Sequence, residues 1–171
     1  MINVTITDAV LRQAAGEGMD AFLQTVVDAT MEAIGGELTL ETMAELNSDQ
    51  ITLLAYSMMR DEVMDGGFVQ LIHNGLGRFI FINPFDKALL QWGVIDLSRM
   101  IKKGHKLYNK YHKRIEIDCT DEEFMAMFEQ MPEFDDLDDE FVANEERWTA
   151  EIACYIDEHI DRFITIDGKE G

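Results

Sequence analysis

Residues 48–70 read SDQITLLAYSMMRDEVMDGGFVQ, and their periodicity sets the fold class of the chain. Apolar side chains recur every three or four positions from Ile51 to Met59, which is the spacing of one buried helix face. Ser48 is a suitable N-cap, and Gly66-Gly67 predicts the end of this helix. A short apolar element is expected to follow at 68–73. With only two prolines in the chain, this pattern predicts a mainly α protein.

The same period of about 3.6 residues recurs along much of the chain. It predicts helices over 20–34, 84–93, 96–114, 121–131 and 144–163, and short extended pieces at 4–7, 79–82 and 164–167. No linker, repeat or low-complexity run divides the sequence. We therefore expect residues 1–171 to form a single compact multi-helix domain with at most short extended segments.

Charge is unevenly distributed along the sequence. The chain has 34 acidic and 14 basic residues, a formal net charge of −20. Residues 116–161 hold 18 Asp or Glu with Arg147 as their one basic residue, whereas 78–115 hold nine Lys or Arg. Such a charge repels nucleic acid and anionic lipid, so we expect a basic protein partner, no direct nucleic-acid binding and no membrane binding.

The basic residues lie on one face of the helix predicted at 96–114. If Leu97 marks the buried side, the opposite face carries Arg99, Lys102, Lys103, Lys106, Lys110 and Lys113. This face could be a solvated surface, which is the commonest outcome. It could also dock on the acidic C-terminal third, within the chain or across a homodimer, or bind a phosphorylated ligand.

The acidic residues near the C-terminus form the predicted partner-binding surface. Its members are Glu133, Asp135, Asp136, Asp138, Asp139, Glu140, Glu145, Glu146, Glu151, Asp157, Glu158 and Asp161. We interpret 135–140 as a solvated acidic turn, because a calcium loop would need a glycine at its sixth position. Neither a metal nor a cofactor is predicted.

One polar cluster stands out from the sparse chemical motifs. It contains Glu62, Gly66, Gly67, Phe68, Gln70 and Asn74, with His73 beside them. The structural interpretation is a helical corner locked by hydrogen bonds, in which glycine amides could serve as donors to Glu62. The functional interpretation is a small polar pocket lined by Glu62, Gln70, His73 and Asn74. No activating arrangement is evident, so we do not expect an enzyme.

The run E-V-x-D-G-G-F-x-Q-x-x-x-N-x-x-G, from Glu62 to Gly77, resembles the signature of a DMP-type DNA-mimic protein family, a mostly helical bacterial family. A later pattern, Tyr155-Ile156 with His159 and Phe163, is similar to that family's C-terminal helix. The resemblance covers about residues 51–163. The chain departs from it at Asp65, where the family usually has Asn, and at Leu71, where it has an aromatic residue.

The resemblance implies an acidic helical protein that occupies the DNA-binding surface of a transcription factor, with a homodimer as one implied form. Carboxylates on a rigid surface can imitate phosphate charge and meet the Lys and Arg of a DNA-binding protein. A non-mimic adaptor or inhibitor is the alternative, followed by a small-molecule-binding protein or enzyme. A cytoplasmic location is expected, since the sequence shows neither a signal peptide nor a membrane span.

Overall fold

The computed structural model describes residues 1–168, and their contacts divide the chain into two compact units. The first comprises Met1–Leu54 and Glu146–Gly171, and the second comprises Ala55–Glu145. Each unit is described by itself. The single domain expected from the sequence stays a prediction.

Two short parallel strands belong to the first unit. Strand β1, Thr5–Thr7, pairs with β2, Thr165–Asp167, in a register that places Ile6 opposite Ile166. The extended pieces predicted at 4–7 and 164–167 are therefore confirmed. A single turn of 3-10 helix, Ile160–Arg162, precedes β2.

Three helices follow β1. Helix α1 is Asp8–Glu17, α2 is Met19–Ala33 and α3 is Leu40–Met43. Helix α2 matches the helix predicted at 20–34, whereas α1 and α3 were not predicted. Helix α1 buries only Leu11 and Ala14, so it lacks the apolar stripe that marks a helix in sequence.

Helix α4, Ser48–His73, consists of two helical segments that meet at a kink at Gly67. Its N-cap is Asn47: the Asn47 Oδ1 accepts the Gln50 N–H at 2.8 Å, and the Gln50 Oε1 accepts the Asn47 N–H at 3.0 Å. The predicted cap at Ser48 is thus one residue too late. The predicted end at Gly66-Gly67 and the separate element at 68–73 are confirmed, because the backbone is non-helical at Gly67 and a second helical segment follows it.

Helix α8, Glu133–Glu158, begins eleven residues before the helix predicted at 144–163. The solvated acidic turn expected at 135–140 is therefore wrong, since these residues are helical. Phe134, Leu137 and Phe141 are all buried at helical spacing, and this packing supports the extra turns. Carboxylates in the first turn also interact favourably with the helix dipole.

The second unit also contains one π-helical turn and three complete α-helices. The π-helical turn, Arg78–Ile82, replaces the extended piece predicted at 79–82 and buries Ile80 and Phe81. It is followed by helices α5, Phe85–Gln91, α6, Ile95–Ile115, and α7, Asp121–Gln130. These three helices confirm the corresponding predictions to within a few residues.

The mainly α fold class is confirmed. Across residues 1–168, the β-structure consists of the two three-residue strands β1 and β2. In this same part of the chain, no helix combines the length and apolar character needed to span a lipid bilayer.

Candidate partner-binding surface

The structure brings Gly67 and Asp138 together at the break in α4. We call residues Glu62–Asn74 the glycine corner. Gly67 has φ 80° and ψ −177°, a left-handed conformation that side-chain-bearing residues rarely adopt. A Cβ at this position would overlap the Asp138 carboxylate. The break leaves the Phe68 N–H without a helical partner, and this group donates to Asp138 Oδ1 at 2.8 Å. Asp138 therefore caps the helical segment that restarts at Phe68.

A side-chain amide network closes the outer side of the glycine corner. Gln70 Nε2 donates to Glu62 Oε2 at 2.9 Å and to Asp65 Oδ2 at 2.9 Å, and Asn74 Nδ2 donates to Glu62 Oε2 at 3.0 Å. The donors to Glu62 are thus side-chain amides rather than the glycine amides we expected. Three of the four predicted pocket residues bond to one another.

His73, the fourth predicted pocket residue, is directed elsewhere. Its Nδ1 lies 2.9 Å from the carbonyl oxygen of Ile115, and its ring centroid lies 4.8 Å from that of Phe124. These contacts link the end of α4 to α6 and α7. His73 therefore does not join the amide network.

Phe68 fixes the inner side of the glycine corner. Its side chain is fully buried, and its ring centroid lies 6.1 Å from that of Phe81 and 6.3 Å from that of Phe141. The contact with Phe141 is edge-on, a favourable arrangement for two aromatic rings. Phe141 lies on α8 three residues after Asp138, so one helix supplies both the cap and an aromatic contact.

Burial distinguishes Asp138 from its neighbours in the acidic part of α8. Burial raises its pKa from an ordinary 3.8 to about 6. The hydrogen bond from the Phe68 N–H acts in the opposite direction and lowers this pKa. The charges of Asp135 and Asp139 raise it further. Both of these residues are exposed, as is Asp136. Asp138 is one of the predicted partner-binding residues, but its carboxylate faces the glycine corner.

Two lysines of α6 pair with two of the predicted partner-binding carboxylates. Lys103 Nζ lies 3.4 Å from Glu140 Oε2, and Lys110 Nζ lies 3.4 Å from Glu133 Oε2. We call these two pairs the α6–α8 ladder. Tyr111, which is buried, also donates its hydroxyl to Glu133. This hydrogen bond is the main reason that the pKa of Glu133 is lowered, and the same group raises the pKa of Lys110.

The ladder shows that part of the basic face of α6 contacts the acidic C-terminal third within the chain. Leu97, Ile101, Gly104, Tyr108, Tyr111 and Ile115 are buried, as the helical spacing predicted. The lysines on the opposite face are exposed, and two of them contact the acidic helix within the chain. A groove of about 370 Å³ lies beside the ladder, and it is lined by Lys103, Lys106, Leu107, Glu133, Asp136, Leu137 and Glu140.

The other predicted partner-binding carboxylates occupy varied environments. In the second unit, Glu145 lies 3.6 Å from the Arg60 guanidinium. In the first unit, Glu151 pairs with Arg147 at 3.1 Å. The exposed members of the first unit are Glu146, Asp157, Glu158 and Asp161. The predicted surface is thus divided between the two units. Sequence periodicity did not reveal which carboxylates are paired within the chain.

Within residues 1–168, no group of three or more His, Cys, Asp or Glu side chains is arranged to hold a metal ion. The acidic residues of α8 are successive residues of one helix, so they point in different directions around its axis.

The fold and the site define a class: mainly helical acidic proteins in which a carboxylate of a long acidic helix caps a glycine corner. The chain belongs to the family described as DMP19-like protein, whose model matches residues 44–159. The chain is also 32% identical over 149 residues to the DNA mimic protein DMP19 of Neisseria meningitidis serogroup B. This alignment covers 85% of the chain and 88% of that relative.

These matches confirm the resemblance seen at about 51–163. The matched region contains the whole glycine corner. It also contains every predicted partner-binding carboxylate except Asp161.

Proposed function

We propose that this chain is an acidic protein-interaction module that acts as a DNA mimic. It occupies the basic DNA-binding surface of a transcription factor or another nucleic-acid-binding protein in the cytoplasm. The observation that carries this proposal is the 32% identity to a protein named as a DNA mimic, over most of both chains. The proposal concerns a protein partner, with no cofactor and no direct binding of nucleic acid.

The exposed carboxylates of α8 support the electrostatic part of the proposal. Asp135, Asp136 and Asp139 are exposed within a regular helix, so their backbone positions are held before a partner arrives. Lysine and arginine side chains that normally neutralise DNA phosphates would meet these charges instead. A complementary field of this kind accelerates association and excludes partners of like charge.

A non-mimic adaptor or inhibitor is the second candidate, and the α6–α8 ladder favours it. The lysines that pair with Glu133 and Glu140 belong to the basic face of α6, so this surface carries charges of both signs, whereas a DNA backbone carries negative charge throughout. Such a protein would bind its partner through the same exposed carboxylates without competing with DNA. The Glu62, Gln70 and Asn74 cluster is left out of both proposals, because its polar groups bond to one another.

The experiment that separates the two candidates is competition with DNA. The chain is used to capture basic proteins from a lysate of its source, and each captured DNA-binding protein is purified with its DNA. A mimic is expected to release the DNA in proportion to the amount of chain added. A captured protein that binds the chain and its DNA simultaneously would contradict mimicry and support the adaptor.

A triple variant tests the contact surface. Asp135→Asn, Asp136→Asn and Asp139→Asn together should weaken capture of the basic protein and flatten its salt dependence, because fewer charges are neutralised on binding. The matched control removes three exposed charges from α1 and α2: Glu17→Gln, Asp28→Asn and Glu32→Gln. Equal affinities of the two variants would reject this part of α8 as the contact.

A further inference from the structure

We propose that Lys103 and Lys110 act as internal competitors for a partner's cations, so that the α6–α8 ladder lowers the affinity of the acidic face. The acidic face is the part of α8 that carries Glu133, Asp135, Asp136, Asp139 and Glu140. This inference rests on the proposed function, because it assumes that the acidic face binds a basic protein. It concerns regulation of that face by the chain's own lysines. The ladder would therefore limit how strongly weakly matched basic proteins are bound.

The geometry places both lysines where a partner's cations would need to be. Lys103 and Lys110 are seven residues apart on α6, as are Glu133 and Glu140 on α8, so the two pairs are about two helical turns apart. Both carboxylates and Lys103 line the groove of about 370 Å³, together with Leu137. A basic side chain entering this groove would meet each carboxylate beside a lysine that already neutralises it.

The exposure of the pairs makes them exchangeable. The Lys103 and Lys110 side chains are 64% and 60% exposed, and each lies 3.4 Å from its carboxylate. Exposed ion pairs of this kind contribute little to stability, so a partner's arginine could displace the lysine at small cost. By contrast, the Tyr111 hydroxyl still holds Glu133 when Lys110 moves away. The carboxylate therefore remains in position for a second cation.

The ladder should also reduce the salt dependence of binding. Carboxylates that attract mobile cations release them when a basic partner binds, and this release makes the affinity fall as salt rises. Glu133 and Glu140 are neutralised by tethered lysines, which cannot be released into solution. Removing the lysines should therefore raise the affinity and make its salt dependence steeper.

The test compares two double variants of the full chain with octa-arginine as the probe. Lys103→Gln with Lys110→Gln removes the ladder. Lys102→Gln with Lys113→Gln removes two other exposed lysines of α6, for which the described part of the chain shows no ion pair. Both variants change the formal net charge from −20 to −22, so the long-range field is matched.

Isothermal titration calorimetry at low and moderate salt should show that the ladder variant binds octa-arginine about two- to tenfold more tightly than the control. Its affinity should also fall more steeply with salt. Lys103→Arg with Lys110→Arg keeps the competing charges and should bind like the unmodified chain. Circular dichroism and thermal melting check that all variants fold.

Equal affinities of the two glutamine variants, or no binding of octa-arginine by either, would overturn the proposal. The outcome is independent of DNA mimicry, because octa-arginine probes only the charge of the surface. If the chain fails to displace DNA from a captured protein but the two variants differ as described, the proposed function fails while the competition between cations stands.

Discussion

Replacing Asp138 with asparagine should change how the stability of the protein depends on pH. The carboxylate lies beside Gly67 and accepts the Phe68 N–H, and burial raises its pKa from 3.8 to about 6. A pKa raised by this amount corresponds to about 3 kcal/mol in the free energy of unfolding. Because the carboxylate is still partly exposed to solvent, we discount this to about 1–2 kcal/mol.

The folded protein binds the Asp138 proton more tightly than the unfolded chain does. The stabilisation from this group is therefore fully present below about pH 4 and is lost as the pH rises through about 6. Asparagine stays neutral throughout and can still accept the Phe68 N–H through its Oδ1. The free energy of unfolding of the variant, relative to the unmodified protein, should thus increase by about 1–2 kcal/mol from pH 4 to pH 7.

Urea unfolding followed by circular dichroism at several pH values measures this difference. Contributions from the other carboxylates largely cancel, because both proteins contain them. Asp139→Asn removes one charge at the neighbouring exposed position and serves as the control. A difference between Asp138→Asn and the unmodified protein that stays constant across this pH range would refute the assignment of Asp138 as a buried, charged cap.

Two further substitutions test the glycine corner. Gly67→Ala should destabilise the protein by about 2–4 kcal/mol. The positive φ of residue 67 is unfavourable for alanine, and the alanine Cβ would displace the Asp138 carboxylate. Gly16→Ala, at a helical glycine with open space around it, should instead be neutral or slightly stabilising in the same thermal melts. Glu62→Ala should cost about 1 kcal/mol, because the Asn74 amide loses its acceptor and the Gln70 amide keeps only Asp65. Asp61→Ala, at an exposed position, is the control, and equal unfolding midpoints in urea would contradict a structural role for Glu62.

Helices with a clear apolar stripe could be predicted from the sequence. The face of α6 centred on Leu97 is buried as predicted, since a strongly two-sided helix has only one way to bury its apolar side. The start of α8 could not be predicted in the same way. Its aspartates are typical of turns, but the buried Phe134, Leu137 and Phe141 determine the outcome through tertiary packing.

The candidate site was only partly predictable for a related reason. The spacing of Glu62, Gln70 and Asn74 indicated a shared polar network, because these residues lie close together along the chain. The role of Asp138 depends on a contact with Phe68, 70 residues away. A local pattern contains no information about such a distant pairing, so the carboxylate could not be distinguished from its exposed neighbours.

The small parallel sheet has a consequence for the order of events during synthesis. Thr5 pairs with Thr165, 160 positions further along, and the Thr165 N–H donates to the carbonyl oxygen of Val4. A nascent chain therefore emerges from the ribosome with β1 unpaired until β2 has been synthesised. Closing so long a loop carries an entropic cost, which other contacts of the first unit must offset before the strands pair. Truncation of either strand would leave the other as an open edge, available for pairing with a second molecule.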